Sequence, residues 1–342
     1  MKANKSVFWN QRRVVCLLAI LLPILILVSL GIGRYHVPLE SVIRVLINQY
    51  IPLQHTWTGQ METVILKIRL PRILLACLVG CSLSAAGAAY QGVFQNPIAA
   101  PDLLGATSGA AFGAALAILF GGSYTTISLA AFALSLIAVS LVYLIGRVAP
   151  GNRVLNLVLA GMMVGSLFSA GTSFIKLVAD PTDQLPAITY WLMGSFSGAS
   201  NQTVAYICLP MLTGLLILFL LRWRLNLLTV GDEAARSMGI HTNRLRLVII
   251  LAATLITAAS VSVSGMIGWV GLVIPHLCRK MVGSNYVYLL PASMFVGAGF
   301  MLIIDTLSRN LLAVEIPVGI LTAFIGAPFF TYLIFRKEAI NE

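Results

Sequence analysis

The chain has 342 residues, of which 59% are hydrophobic and only 10% are charged, and its mean hydropathy is +0.95. Because soluble domains carry about 25% charged residues, this composition excludes a soluble globular fold. The net charge of +11 would suit nucleic-acid binding, but when successive spans alternate in direction, 15 of the 22 Lys and Arg residues fall in cytoplasmic segments and seven fall outside. This is the positive-inside pattern of membrane proteins, so we expect no nucleic-acid partner.

Apolar stretches of about 18 residues or more recur along the chain, and each is long enough to cross a hydrocarbon core of about 30 Å as a helix. The clearest examples are Val14–Leu30, Ile127–Ile145, Val204–Leu221 and Leu247–Val263. With the shorter and interrupted runs included, the pattern predicts an all-α, polytopic integral membrane protein of about ten transmembrane helices, with short broken helices. We expect residues 1–342 to form a single transmembrane domain.

Basic residues at both ends of the chain set the expected orientation. Lys2, Lys5, Arg12 and Arg13 precede the first span, which predicts a cytoplasmic N-terminus, and Arg336-Lys337 after the last span predicts a cytoplasmic C-terminus. No small-residue cleavage site follows the first span. We therefore expect it to be retained as a helix rather than removed as a signal peptide.

Three cations stand at the predicted outer start of the second span, which covers about 73–94. They follow a more polar segment, 34–60, that we expect to form an external loop at the interface. Lys67, Arg69 and Arg72 break the positive-inside trend. Two interpretations are open from the residues alone: these side chains meet an acidic surface, or they snorkel to lipid phosphates.

Two segments between spans are too irregular or too short to cross the membrane. Asn96, Pro97 and Pro101 are helix breakers after the second span, and they predict a compact irregular loop on the inner side. Residues 187–198 (AITYWLMGSFSG) are amphipathic at their aromatic end. This second segment is expected to lie at the outer interface or to re-enter the membrane.

Small residues recur at four-residue spacing in several spans. Such stripes let helix backbones approach closely in lipid, so they predict tight helix packing rather than a ligand site. The stripes are Gly80-Ser84-Ala88, Gly105-Gly109-Gly113 and Gly161-Gly165.

A polar island, GDEAARSMGI at 231–240, interrupts the apolar runs. Arg222-Trp223-Arg224 precedes it, and Arg244 and Arg246 follow it, so the island is expected to face the cytoplasm. Its composition predicts a short helix that is available to a soluble partner.

The last third of the chain carries the remaining irregular and charged features. Gly271–Leu277 is predicted to be a short, broken helix of the kind tolerated only where it is buried in protein or lines a cavity. His276 within it is interpreted as a hydrogen-bonded structural histidine, with a proton relay as the alternative. Asp305 and Arg309 are four residues apart near the outer end of a span, so we predict an ion pair between them.

Several kinds of chemistry lack support in the sequence. The five cysteines and four histidines show no metal-ligand spacing, so we expect no metal site. No GxxxxGK[ST] segment occurs, which argues against ATP binding by a P-loop in this chain. No nucleophile–base pair or paired carboxylate stands within a span, so a membrane enzyme is disfavoured.

Five segments in order resemble the FecCD family of permease subunits from ABC importers of iron–siderophore complexes, haem and vitamin B12. The resemblance covers roughly residues 15–337. The segments are RLPRILLACLVG, AAGAAYQGVFQNPIAAPDLLGATSGAAFG, GDEAARSMGI, GWVGLVIPHLCR and EIPVGILTAFIGAPFF.

This resemblance implies a ten-helix subunit with the type II permease fold of ABC importers, in the cytoplasmic membrane of a bacterium or archaeon. It implies three protein partners besides membrane lipid. A second permease subunit, identical or paralogous, would complete the translocation path. A cytoplasmic ATPase dimer would hold the ATP and Mg, so that this chain is not an enzyme and binds no cofactor, and an extracytoplasmic substrate-binding protein would dock outside.

The resemblance also implies roles for particular residues. Arg69, Arg72 and Arg309 match family arginines that meet glutamates of the binding protein, which favours the docking interpretation. The ATPase-coupling residues would lie in a segment of about 231–246, where Gly239 would allow a sharp turn. They are Asp232, Glu233, Ala235, Arg236, Met238, Gly239 and Ile240. The gate and translocation-path residues would be Asn96, Pro97, Ile98, Val154 and Leu155.

The expected function is ATP-driven import of an iron–siderophore complex, or of a related chelate such as haem or cobalamin, by alternating access. An anionic siderophore would have Lys176 as a candidate contact. The alternative is an ion-coupled secondary transporter, which usually needs ionisable residues near the middle of the bilayer. Asp305 lies near the end of a span and Asp102 lies in a loop, so this alternative has less support.

Overall fold

The computed structural model describes residues 2–54, 56–151, 153–231, 235, 237–239 and 241–338, and in these ranges it contains helices and no strand. A π-helical turn, Val64–Arg69, joins the helix Gly59–Thr63 to the helix Leu70–Val93, and a 3₁₀ turn, Pro101–Leu104, precedes the helix Ala106–Leu119. In chain order the helices are α1 Lys2–Gly31, α2 Leu39–Asn48, α3 Gly59–Thr63, α4 Leu70–Val93, α5 Ala106–Leu119, α6 Tyr124–Val148, α7 Arg153–Val178, α8 Gln184–Leu192, α9 Asn201–Thr229, α10 Thr242–Ser264, α11 Val270–Val282, α12 Tyr286–Asn310 and α13 Val318–Glu338.

The all-α, polytopic architecture predicted from the sequence is confirmed for the described part of the chain. Seven helical stretches there are long and apolar enough to cross a membrane, and α5 and the described part of α13 are shorter apolar helices. The short helices that the sequence predicted are also present, and α8 and α11 are examples.

Helix α4 forms the centre of the bundle. Its apolar window is 83% buried, whereas the windows of α1 and α7 are 17% and 22% buried. Small residues explain this position, because a Cβ atom on Gly80 would overlap the carbonyl oxygen of Gly297 in α12, and one on Gly87 would overlap that of Gly271 in α11. The prediction that the stripe containing Gly80 serves packing is therefore confirmed.

The second small-residue stripe joins α5 to α6. A Cβ atom on Gly109 would lie 2.6 Å from the carbonyl oxygen of Leu134, and one on Gly113 would overlap that of Ala130. The two backbones are thus in direct contact, as the four-residue spacing predicted. A close antiparallel pair results, which leaves the other face of α5 free to pack on α7.

The segment before α4 is more helical than the sequence suggested. Part of the expected external loop, 34–60, forms α2, and the helix that contains Arg69 begins at Gly59. Pro71 lies within the continuous helix, where it lacks an N–H for the ladder. A π turn precedes it, in which the N–H of Leu70 donates to Ile65. This wider turn changes the hydrogen-bond register just before the proline, so the helix continues.

The prediction of a broken helix at 271–277 is wrong in its extent. The irregular backbone is confined to 265–269, and α11 then runs through Pro275 without interruption. Proline leaves the carbonyl four residues earlier without its usual donor, and here that carbonyl belongs to Gly271. The Nε2 of Gln91 in α4 donates to it at 3.5 Å, which satisfies the group and lets the helix persist.

Candidate functional site

The predicted site residues fall at two opposite ends of the bundle. The Arg72 end is the end where α4 begins and α12 finishes. The Gly239 end is the end where α4 and α9 finish and α10 and α12 begin. At the Gly239 end the Nδ2 of Asn226 in α9 donates to Asn285 before α12 at 2.9 Å, which ties these helix termini together.

The Arg72 end is built around a buried ion-pair cluster. The Nε of Arg72 donates to Asp305 Oδ1 at 2.8 Å, and its Nη1 donates to Glu315 Oε1 at 2.8 Å. The side chains of Arg72 and Asp305 are 8% and 0% exposed, and that of Glu315 is 32% exposed. One guanidinium therefore connects α4, α12 and the loop before α13.

The predicted ion pair between Asp305 and Arg309 is confirmed, with 3.0 Å between Asp305 Oδ2 and Arg309 Nε. The Nη2 of Arg309 also donates to Ser29 in α1 at 3.2 Å. Asp305 thus lies between two guanidinium groups. Burying this carboxylate is tolerable because both neighbouring charges are opposite in sign.

Arg69 has a different partner set. Its guanidinium donates to the carbonyl oxygens of Leu30 at 2.6 Å, Gly31 at 3.3 Å and Tyr35 at 2.5 Å. The last carbonyls of a helix lack intrahelical donors, so Arg69 caps the C-terminus of α1 and meets the negative end of its dipole. Only 4% of Arg69 is exposed.

The structure therefore brings the three predicted docking arginines to one end but places them largely inside the protein. Arg69 and Arg72 satisfy internal acceptors, and their exposed area in this conformation is small. Sequence reasoning missed Glu315 as a partner of Arg72. The clue was available, because Glu315 is an acid two residues before Pro317, in a chain with only 11 acidic residues.

A cavity of about 460 Å³ lies where α6 begins and α10 finishes. Aromatic rings and hydroxyl groups line much of it, and no lining residue carries a formal charge. The hydroxyl of Tyr124 donates to the carbonyl of Val263 at 3.1 Å, which fixes one wall. The most prominent polar and aromatic lining residues are Tyr124, Tyr190, Trp191, Ser195 and Ser197. In the sequence, the aromatic segment 187–198 was the only indication of this cavity.

The loop between α7 and α8 leads into the helix that carries Tyr190 and Trp191, two of the residues that line that cavity. Asp180 accepts hydrogen bonds from the Thr182 hydroxyl at 2.5 Å and from the backbone N–H groups of Thr182 and Asp183 at 2.9 and 3.0 Å. The Thr182 side chain and these N–H groups keep the pKa of Asp180 below its usual range, because they stabilise the ionised carboxylate. The resulting tight turn starts α8.

At the Gly239 end, part of the predicted coupling segment lies outside the described residues, namely Asp232, Glu233, Arg236 and Ile240. Ala235 is fully buried, and its N–H donates to Gly231 at 3.0 Å. Met238 is 52% exposed. Gly239 has φ of 79°, a left-handed conformation that glycine adopts readily, at the position where a sharp turn was predicted.

The predicted gate loop after α4 is compact, as expected. The N–H of Ile98 donates to the Asn96 side chain at 3.0 Å, and the N–H of Ala99 donates to the Asn96 carbonyl at 3.1 Å. Gln95 anchors the loop to α9 by donating to the carbonyl of Leu228 at 2.6 Å. Asn96, Pro97 and Ile98 themselves are exposed, and 58% of Ile98 is accessible.

The other predicted gate residues, Val154 and Leu155, lie in the first turn of α7, where Leu155 is 55% exposed. The loop after α4 packs along this same helix, because a Cβ atom on Gly161 would overlap the carbonyl oxygen of Leu103. The structure thus connects both predicted gate segments through α7. Their proposed gating role stays a prediction.

Comparison with known proteins identifies the group to which the chain belongs. The model of the FecCD transport family matches residues 21–336. The chain belongs to the FecCD transport family. It is 40% identical over 331 residues to the molybdate import system permease protein MolB of Haemophilus influenzae, covering 95% of this chain and 96% of that protein.

Two further similar proteins cover almost the whole chain. The Fe(3+)-citrate import system permease protein YfmE of Bacillus subtilis is 38% identical, covering 94% of each chain. A solved inward-facing ABC transporter of the metal-chelate type is 39% identical with a TM-score of 0.85, covering 95% of this chain and 99% of that one. This FecCD protein is therefore a multi-pass ABC permease subunit and not itself an enzyme, and a separate ATPase and a second permease subunit are its partners.

Proposed function

We propose that this permease imports an iron–siderophore complex, or a related chelate such as haem or cobalamin, by alternating access. The observation that carries the proposal is the uncharged cavity of about 460 Å³ at the Arg72 end. Its aromatic and hydroxyl lining suits a bulky organic chelate, which gains apolar contact while a few polar groups fix its orientation. The chain itself would bind no cofactor, and the ATPase would hold ATP and Mg.

Molybdate is the second candidate cargo, and the 40% identity to MolB favours it. A small oxyanion is best held by positive charge or by convergent hydrogen-bond donors. The cavity at the Arg72 end contains no Lys, Arg or His among its lining residues, so the chemistry of its walls supports the chelate over the oxyanion.

We further propose that the Gly239 end faces the cytoplasm of a bacterium or archaeon, with both chain termini on that side. Arg147, Arg222, Arg224 and Arg244 all lie near this end, in agreement with the positive-inside rule. The segment 231–246 would then meet the ATPase.

The Arg72 end would then face outward and receive the binding protein. Three guanidinium groups and two carboxylates leave one net positive charge in the cluster of Arg69, Arg72, Asp305, Arg309 and Glu315. An acidic group of the binding protein would compete with Glu315, the more exposed of the two carboxylates, for the guanidinium groups.

The loop around Ile98 and the first turn of α7 around Leu155 would form the inner gate. Both residues are exposed in the single chain, and the loop after α4 packs along α7. Closure of the ATPase dimer would move the coupling segment and so change which end of the path is open. No covalent chemistry is needed in this chain.

Reconstitution tests the proposal. The permease, its ATPase and its binding protein are placed in proteoliposomes, and ATP-dependent uptake of radiolabelled iron as a ferric siderophore is compared with uptake of molybdate. We expect saturable uptake of the chelate and none of molybdate. Uptake of molybdate alone would replace the proposed cargo, and uptake driven by an ion gradient without the ATPase would support the secondary-transporter alternative.

A further inference from the structure

A second cavity, of about 450 Å³, opens between the end of α9 and the start of α10 at the Gly239 end. It is separate from the aromatic cavity described above and has a different character. Its walls combine cationic, aromatic and aliphatic side chains. Those that matter for its chemistry are Leu221, Trp223, Arg224, His241, Arg244 and Val248.

The polar side of this cavity is positively charged. Arg224 and Arg244 are both exposed, and within the described ranges neither forms an ion pair with an acidic residue. The Cζ of Arg224 lies 5.6 Å from the ring centroid of Trp223. The first turn of α10 contains no acidic residue, so the positive end of its helix dipole adds to the field of the arginines.

The other side of the same cavity is apolar and exposed. Val248 is 43% exposed and lines the cavity, and Leu251, one turn further along α10, is 54% exposed. On α9, Leu221 lines the cavity and its neighbour Leu220 is 61% exposed. The apolar wall therefore continues into the spans that cross the membrane, and Trp223 stands at the boundary between the two surfaces.

We infer that this cavity binds the phosphate headgroup of an anionic membrane phospholipid between Arg224 and Arg244, with its acyl chains along Val248 and Leu251. Basic pockets between transmembrane helices suit such headgroups, and Trp favours the interface between apolar and polar regions. An acidic protein segment would match the arginines but would gain nothing from the exposed aliphatic wall. The inference depends on the membrane-spanning architecture and not on the identity of the cargo.

The site has a mechanical consequence because Gly239 also lines the cavity. A bound lipid would join the end of α9 to the start of α10, and these two helix ends flank the polar island 231–240. Lipid occupancy would thus restrict the turn at Gly239.

Native mass spectrometry of the full-length permease in detergent tests the inference. The protein is titrated with phosphatidylglycerol and with phosphatidylcholine of the same acyl chains. We expect tighter binding of phosphatidylglycerol, and we expect Arg224→Gln with Arg244→Gln to weaken that binding about tenfold while leaving phosphatidylcholine unchanged. The control is Arg12→Gln with Arg147→Gln, which removes two exposed cations outside the cavity.

The outcomes separate the possible occupants. Equal binding of both lipids, or equal loss in both double variants, would overturn the inference, as would complete competition by inorganic phosphate. Retained phosphatidylglycerol binding with weakened ATPase binding in the cavity variant would instead assign these arginines to the protein partner. Arg224→Lys with Arg244→Lys keeps the charge, so it should retain lipid binding and supplies a second test if the glutamine variant fails to fold.

Discussion

Arg72 of α4 and Asp305 of α12, 233 positions apart in the chain, form an ion pair of 2.8 Å whose side chains are 8% and 0% exposed. Because the pair is buried in one cluster with Arg309 and Glu315, removing either charge would leave the remaining charges unbalanced in an apolar interior. The pair also fixes the starting end of the central helix against α12. The Arg72 end is thus a structural junction as well as a proposed docking surface.

Asp305→Asn should destabilise the protein strongly. The substitution leaves the guanidinium groups of Arg72 and Arg309 without their shared counter-charge, and removing one partner of a buried pair costs about 3–5 kcal/mol. Thermal unfolding in detergent measures the effect as a lower midpoint. Glu315→Gln is the matched control, and its loss should be smaller because this carboxylate is 32% exposed. Equal midpoints for the two variants would contradict the central role of Asp305.

In the same cluster, one contact could be predicted from the sequence and the others could not. The pair between Asp305 and Arg309 was predictable, because residues four apart share one face of a helix. Arg72 and Asp305 come together only through the packing of α4 on α12, and no local pattern specifies that pairing. The cap that Arg69 places on α1 is equally non-local. Both contacts depend on how the helices pack together, and the periodicity of a single sequence does not predict that packing.

The small-residue stripes could be predicted to form helix contacts, but the helices that they contact could not be predicted. Four-residue spacing of glycines indicated close helix contacts, and the structure supplies the neighbours, such as Gly297 for Gly80. The continuity of α11 through Pro275 was not predictable, because it depends on a hydrogen bond from Gln91 on another helix. The candidate gate loop was recognisable from its helix breakers, whereas its contact with α7 was not.

Gly161→Ala should disturb the proposed gate loop. Its Cβ would overlap the carbonyl oxygen of Leu103, and such overpacking costs about 1–3 kcal/mol or moves the backbone. We expect reduced uptake in proteoliposomes together with faster proteolysis in the loop after α4. Gly165→Ala, on the same helix, is the control, since its Cβ would lie an ordinary 3.6 Å from Ser108 Oγ. Wild-type uptake and proteolysis in the Gly161 variant would contradict the tight contact.

Gly239→Val should uncouple transport from ATP hydrolysis while leaving the protein folded. Space is open around this residue, so the cost comes from its φ of 79°, which a β-branched residue adopts only with strain. The ratio of chelate imported to ATP hydrolysed measures the effect and should fall severalfold. Gly239→Asn is the control, because Asn tolerates the left-handed region and should keep most of the coupling. A normal ratio in the valine variant would argue against a coupling turn here.

Arg309→Gln should weaken docking of the binding protein. This variant keeps the pair of Arg72 with Asp305, so the junction survives while one cation is lost from the proposed surface. Binding measured at several salt concentrations should be weaker and less salt-dependent than in the wild type, because salt screens the attraction between acidic groups of the binding protein and the cations of the Arg72 end. Arg147→Gln, at the opposite end, should leave docking unchanged. If both variants dock like the wild type, Arg309 has only its internal role.

His276→Gln should retain most of the uptake. His276 lies in α11 between Pro275 and Leu277. Glutamine keeps the hydrogen-bonding capacity that a structural histidine uses, but it cannot relay a proton as an imidazole can. Uptake assays across a range of pH measure the outcome, and the profile should follow that of the wild type. A proton relay would instead lose transport with this substitution. Since relays belong to ion-coupled transporters, that result would also weaken the proposal that ATP hydrolysis alone drives the cycle.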